Sequence, residues 1–424
     1  MAIADNAQAR PVAKKTQSLP FDVPLVATVG ALLVFGLMMV YSSTFDWSYA
    51  SYGNPAAIFL RQLQWVGVGL VCMAVAARVN YRWWRPVAVI LMGATIIALV
   101  LVLVIGSTKF NAQRSFFGGS VQPSELAKFA TIVYLAVWLA SKGEKIRDLS
   151  YGLVPFGVIV GIVVTLILLQ PDLSAAGTVL AIAALLFFIA GADLVQLALV
   201  GLSGLATIGL LMQLPMQIAV TGRQRLWEYI LGLQDLTQAS WHVKQAAVAF
   251  VNGGLFGRGL GESHQKFGFL PTPHTDSIFA IIGEELGLVG CLFVVGLFVV
   301  LAWRGFRVAA QAKDALGATL AAGITCWVAF EALVNVAVMV GAFPFAGNAL
   351  PFISYGGSNM VVTLLAIGVL ISISRHSGDE PILRRVRSTA YWGERAQPRA
   401  AEPDAAFDLR RRDGRGRVSR SGRR

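Results

Sequence analysis

Charge is scarce in this sequence. Only 14% of its 424 residues are Asp, Glu, Lys or Arg, where a soluble domain carries about 25%. The hydrophobic share is 56% and the mean hydropathy is +0.66. A water-soluble globule of this size needs far more polar surface. Cysteine is scarcer still. Cys72, Cys291 and Cys326 all fall inside apolar runs, where thiols simply pack, so a disulfide scaffold is excluded. The apolar content also excludes disordered and collagen-like chains. There is no P-loop, no HExxH, no paired-cysteine zinc spacing and no serine-centred nucleophile elbow. Gly257-Arg258-Gly259-Leu260-Gly261 follows no predicted strand and is a weak nucleotide signal. A nucleotide-driven pump is set aside, and an integral membrane protein with many spans remains.

The net charge of +12 suggests nucleic acid until it is located. Residues 374–424 hold 14 Arg and no Lys against seven acidic residues, so this tail alone supplies +7. The remaining excess is scattered over short connections, and no basic face is present for a duplex. The tail is polar and aperiodic. It reads as a disordered cytoplasmic segment drawn to anionic inner-leaflet lipid, with protein docking as the alternative.

A membrane helix needs about 20 mostly apolar residues. Such runs occur at 23–41, 58–77, 86–105, 125–141, 152–170, 173–191, 194–214, 277–302, 318–342 and 350–373. They are continuous rather than alternating, which predicts an all-α protein of about ten transmembrane helices and not a barrel. Domains follow: a cytoplasmic tail at 1–22, a membrane domain at 23–373 and the Arg-rich tail at 374–424. Basic residues cluster at Arg10, Lys14 and Lys15, at Arg78, Arg82 and Arg85, at Lys142, Lys145 and Arg147, and at Arg304, Arg307 and Lys313. The positive-inside rule puts these segments and both termini in the cytoplasm. One outer connection is long, at 215–276, and its Trp, Tyr and Leu content predicts amphipathic pieces lying on the outer leaflet.

Ionisable residues in or beside apolar spans are costly and therefore functional candidates. Three clusters lie at outer span ends. In Gln122-Pro123-Ser124-Glu125-Leu126-Ala127-Lys128, Pro123 suits a first helical turn, and Glu125 complements the helix dipole. Glu125 and Lys128 share one face, either as an internal ion pair or as site residues, with Arg114 a short way before them. In Gln170-Pro171-Asp172 the aspartate serves either as a cap or in function. In Pro271-Thr272-Pro273-His274-Thr275-Asp276, the aspartate sits at a span mouth, with Glu284 and Glu285 about 12 Å deeper along the helix. Asp276, Ala280, Gly283 and Gly287 form a small-residue face for a close neighbour. Asp276 fits a general base, the alternative being a helix cap with both glutamates in structural bonds. A fourth segment, Leu350 to Asn359 with Ser354 and Ser358, opens the last span as an irregular start lining a polar cavity or as a close-packed one. Without nucleotide motifs, chemistry on the outer face needs a substrate that is already activated, such as a lipid-linked diphosphate.

These four motifs, in this order on a ten-span frame, resemble the SEDS family of FtsW, RodA and SpoVE, the polytopic peptidoglycan glycosyltransferases. The resemblance covers residues 20–375, and the stretch Phe279 to Gly287 looks more like the FtsW branch than the RodA branch. It implies a helical GT-C-like fold that polymerises lipid II on the extracytoplasmic face of the bacterial inner membrane. The family's essential outer-loop aspartate falls on Asp276. Its glutamate and lysine fall on Glu125 and Lys128, its QPD aspartate on Asp172, and its loop cations on Arg223 and Arg225. Arg114, His274, Glu284, Ser354 and Ser358 complete the candidate substrate-binding set. Two positions depart from the family pattern: Ser115 stands where a tryptophan is frequent, and Ala346 where a lysine is.

The mechanism so implied has Asp276 deprotonating the acceptor hydroxyl while undecaprenyl diphosphate leaves toward basic groups. A divalent cation, Mg or Mn, is the cofactor left open, with no certain ligands. Implied partners are lipid II, a class B penicillin-binding protein with the divisome or elongasome, and membrane lipids, with no nucleic acid. Two rival classes remain at this point: a flippase for lipid-linked precursors, whose essential charges belong near mid-membrane, and a division scaffold, which needs no buried charges.

Overall fold

In the computed structural model, residues 21–109, 112–115, 122–211, 213 and 217–377 are described. The described residues are mainly helical: α1 (Val23–Tyr52), α2 (Ala57–Arg78), α3 (Trp84–Ile105), α4 (Pro123–Lys142), α5 (Val154–Leu169), α6 (Leu173–Ile189), α7 (Leu194–Leu211), α8 (Gln217–Gln234), α9 (Trp241–Gly253), α10 (Ile278–Gln311), α11 (Ala315–Met339) and α12 (Gly357–His376). A two-stranded antiparallel ribbon, β1 (Ser107–Lys109) and β2 (Ala112–Ser115), joins α3 to α4. All ten predicted apolar runs are helical. Eight of these helices are long and apolar enough to cross a membrane, and the other two, in α6 and α7, have shorter apolar stretches. The chain is a multi-pass membrane protein. The N-terminal tail before Phe21 and the Arg-rich tail after Ser377 lie outside the described residues.

Three helices form the centre. In α11 72% of the apolar window is buried, with 67% in α12 and 61% in α4, against 22% in the peripheral α2. Small residues set the close contacts. A methyl added at Gly323 of α11 would lie 2.9 Å from both Ile132 of α4 and Leu186 of α6, and one at Gly368 of α12 would strike the Met73 backbone of α2. At one end of the bundle, Asp22 caps α1 through the Leu25 amide and takes a two-pronged ion pair from Arg304 of α10. Arg82 pairs with Asp314 at 3.0 Å beside the start of α11.

Two boundaries differ from the sequence reading. The last span starts at Gly357 rather than Leu350, because residues 350–356 form an irregular turn with Phe352 at φ 65°. Gly36 of α1 makes that turn possible, since a methyl there would lie 2.3 Å from the Phe352 carbonyl oxygen. The long connection is largely helical rather than loop, holding α8 and α9. The α9 helix and the glycine turn after it pack on α10, where the small-residue face was expected. Phe250 lies against Gly283, and Gly253 lets the two backbones approach so closely that a methyl would fall 2.0 Å from the Gly283 carbonyl oxygen.

That contact coincides with a break in α10. Gly287 adopts φ 68° and ψ −164°, non-helical values that interrupt the ladder inside an otherwise continuous helix. The turn supplies replacement hydrogen bonds. Arg258 and Gly259 amides donate to the Glu284 and Glu285 carbonyls, while the Leu288 and Val289 amides donate to Gly254 and Leu255. A helix can break at membrane depth only where its freed polar groups are satisfied this way.

Candidate active site

Glu125, Lys128, Asp172, Asp276, Ser354 and Ser358 lie toward the opposite end of the bundle, where α4, α6, α10 and α12 begin and α11 ends. Pro123 occupies the first turn of α4 and places Glu125 and Lys128 inward. The Lys128 ammonium is buried, 2.7 Å from Glu125 and in direct contact with Glu331 of α11, and it lies 5.7 Å from the Trp327 ring. Glu125 also accepts from Asn359 of α12 at 2.8 Å. The expected ion pair is therefore a three-charge cluster tying α4, α11 and α12 together.

Asp172 caps α6, one of the two readings left open for it, and also bonds to the start of α4. One carboxylate oxygen caps α6 through the Ala175 amide at 3.1 Å, and the other accepts from Gln122 at 2.8 Å and Ser124 at 3.3 Å. Ser174 hydrogen-bonds Asp172 and reaches the Gly347 carbonyl. Ser358 accepts from the Gln122 amide at 3.2 Å, so α12 joins the same network.

Asp276 lies in the turn just before α10, half-buried. A methyl on Gly347 would lie 2.9 Å from its Oδ2, which places the carboxylate against the 345–348 segment. Three successive carbonyls fix this turn: His274 accepts from the Tyr355 amide at 2.8 Å, Thr275 from the Ser354 hydroxyl at 2.6 Å, and Asp276 from the Asn335 side chain at 2.8 Å. The His274 ring stacks on Trp47 of α1 at 4.8 Å and meets Tyr355 edge-on. Burial pushes His274 down to about 4, so it is neutral at pH 7.

A groove of about 460 Å³ runs between α8, α9 and residues 339–345, lined by Arg225, Tyr229, Phe250, Met339 and Phe345 among others. Arg225 lies over the Phe345 ring at 5.4 Å, and His242 stacks on the same ring at 4.0 Å. Burial and the Arg225 charge push His242 down to about 4. The groove thus reaches Phe345, two residues from the glycine that faces Asp276. Arg223 is exposed on α8. Arg114 sits on β2, and its side chain lies outside the described residues.

Glu284 belongs to a different set of contacts. Fully buried, it accepts from Ser263, from the Gln265 amide at 3.1 Å and from Asn252 at 3.4 Å, holding the 252–265 segment to α10. Glu285 accepts from Ser42 of α1 and pairs with Lys266 at 3.6 Å. Both glutamates therefore occupy structural bonds, the alternative to a substrate contact. Among the described residues no three His, Cys, Asp or Glu side chains converge as a cation site. The three carbonyls of the Asp276 turn are already taken by the Tyr355 amide, the Ser354 hydroxyl and the Asn335 side chain.

The model of the FtsW, RodA and SpoVE family, described as a cell cycle protein, matches residues 23–379. The chain belongs to this family. Among family relatives, a probable peptidoglycan glycosyltransferase FtsW of Trichlorobacter lovleyi is 40% identical over 358 residues, covering 84% of this chain and 93% of that one. RodA of Thermus thermophilus, a rod shape determining protein, superposes with a TM-score of 0.63 at 27% identity, over 85% of this chain and 99% of its own. A chain solved in work on the structural coordination of polymerization and crosslinking by a peptidoglycan synthase complex superposes with a TM-score of 0.68 at 27% identity, over 86% of this chain and all of that one. In this FtsW/RodA/SpoVE protein, sequence reasoning missed Glu331 and Asn335. Both are polar residues four apart in the apolar run 318–342, hence on one helix face, and that spacing was the available signal. Lys266 and Gly347 carried no comparable signal.

Proposed function

We propose that this chain is a peptidoglycan glycosyltransferase that polymerises lipid II on the extracytoplasmic face, with Asp276 as its general base. The observation that carries the base assignment is the Asp276 turn itself. A half-buried carboxylate stands at a helix mouth in a turn pinned by three tethers, and a groove that holds Arg225 reaches Phe345, two residues from the glycine that faces it. Glu125, Lys128, Asp172 and Asp276 lie toward that same end of the bundle, and the Arg304–Asp22 and Arg82–Asp314 pairs lie at the other. Ten crossings with both termini in the cytoplasm fit this polarity and the distribution of basic residues.

In the reaction, the C4 hydroxyl of the acceptor GlcNAc attacks the anomeric carbon of the donor MurNAc. Asp276 takes the hydroxyl proton as the new glycosidic bond forms, and undecaprenyl diphosphate leaves with the bonding pair. Base assistance of this kind contributes about 10²–10⁴-fold in rate. Arg223 and Arg225 are the cations placed on the outer helices to meet the diphosphate charge. Lys128 is already committed to two carboxylates and supports the site from beneath. The apolar groove wall suits a prenyl-linked substrate at the membrane surface. A class B penicillin-binding protein is the partner this reading proposes, because a linked transpeptidase consumes the strands.

The flippase reading is not favoured: the relatives carry glycosyltransferase names, and the candidate charges lie at one end rather than at mid-membrane. Purified protein given labelled lipid II, alone and with the matching transpeptidase, tests the proposal. Glycan strands support it, whereas translocation without strands supports the flippase.

A further inference from the structure

Asp276 precedes the first helical residue of α10, so no helical ladder holds it. A general base acts only when held within about 0.5 Å of its productive position, and the burden falls on tertiary contacts. Two of the three tethers in its turn act on the preceding residues, through Ser354 and the Tyr355 amide. The tether on Asp276 itself comes from Asn335, deep in α11 and 1% exposed. Its Nδ2 donates both hydrogens, to the Asp276 carbonyl at 2.8 Å and to the Asn348 carbonyl at 2.6 Å. Two carbonyl acceptors can be satisfied only by an amino group, which settles the amide's orientation and rules out Asp or Leu as an equivalent. The same side chain thereby joins the Asp276 turn to the segment containing Gly347, whose missing side chain leaves the space the carboxylate occupies. One helical turn deeper on the same face, Glu331 meets Lys128, so α11 is anchored where the Asn335 tether begins.

We propose that Asn335 is the positioning residue for Asp276, fixing its backbone against the 346–348 segment while Gly347 leaves the carboxylate the space it occupies. The inference rests on the reading of Asp276 as the base and adds how that base is held. Asn335 touches no substrate, so its loss acts through geometry.

The test measures kcat and KM for lipid II polymerisation by the full-length protein with its transpeptidase. Asn335→Ala, Gly347→Ala and Asp276→Asn are compared, each checked for monodispersity and thermal unfolding. Misplacing a base by about 1 Å costs up to about 100-fold. Asn335→Ala and Gly347→Ala are therefore expected to lower kcat by about 10- to 100-fold with KM within about twofold, the signature of an interaction realised in the transition state. Gly347→Ala keeps both Asn335 hydrogen bonds and tests the room beside the carboxylate. Asn335→Leu, which removes the donors and keeps an apolar side chain of similar size, is expected to lower kcat as Asn335→Ala does. It tests the tether if Asn335→Ala cannot be recovered folded. Unchanged kcat in the folded variants, or a raised KM at constant kcat, overturns the proposal. Normal polymerisation by Asp276→Asn overturns the base assignment instead, so the two failures are told apart.

Discussion

Replacing Lys128 by methionine is expected to be the most damaging single change in the bundle core. The side chain is 4% exposed and holds Glu125, at 12%, and Glu331, at 3%. Methionine keeps the volume and removes the charge, so two carboxylates are left facing each other across α4 and α11. Removing one partner of a buried ion pair costs about 3–5 kcal/mol, and here one removal orphans two acids. Glu331→Gln leaves the Lys128–Glu125 pair intact and removes one charge-assisted hydrogen bond, for about 1.5–3 kcal/mol. The double variant Lys128→Met with Glu331→Leu should recover part of the single loss, because residues in one network couple strongly. Thermal or denaturant unfolding in a fixed detergent, followed by intrinsic fluorescence, orders the variants. Stability of Lys128→Met within about 1 kcal/mol of wild type, or a larger loss for Glu331→Gln than for Lys128→Met, would refute the three-charge account.

Two further outcomes follow from the geometry. Gly253→Ala places a methyl 2.0 Å from the Gly283 carbonyl oxygen, whereas Gly30→Ala enters open space on α1. The first should cost about 1–3 kcal/mol or more and the second almost nothing, and equal melting temperatures for the two would contradict the packing of α9 on the α10 break. His274 and His242 are held near 4, below the ordinary 6.5. The unfolded chain binds more protons between those values, so stability is full above about pH 6.5 and falls as pH drops toward 4. Each ring contributes on the order of 2–3 kcal/mol across that window. His274→Gln should flatten the melting curve over pH 4–6.5, and an unchanged slope would count against its burial.

The membrane architecture was legible because apolar runs of span length have few other readings, and all ten returned as helices. The charged positions were legible because a charge in such a run has to be justified: Glu125 and Lys128 pair near the start of α4, Asp172 caps α6, and Asp276 stands just before α10. The α10 break was not foreseeable in the same way. Gly287 was read as part of a small-residue face, which it is, yet its φ of 68° depends on amides and carbonyls of residues 254–259 that only the fold brings near. Asn335 escaped notice because an amide in an apolar run draws less attention than a charge, although its partners are the Asp276 carbonyl and the Asn348 carbonyl on the segment facing it. The helices α8 and α9 were read as surface pieces, and their contacts with Phe345 and Gly283 depend on long-range packing that periodicity does not carry.

The sharpest check is strand synthesis from labelled lipid II by Asp276→Asn protein, reconstituted in lipid and matched to wild type for folding and amount. Loss of at least about 100-fold in polymerisation rate with intact assembly is the outcome a proton-accepting carboxylate demands. Strands made at the normal rate by that variant would show that the outward aspartate is not the base.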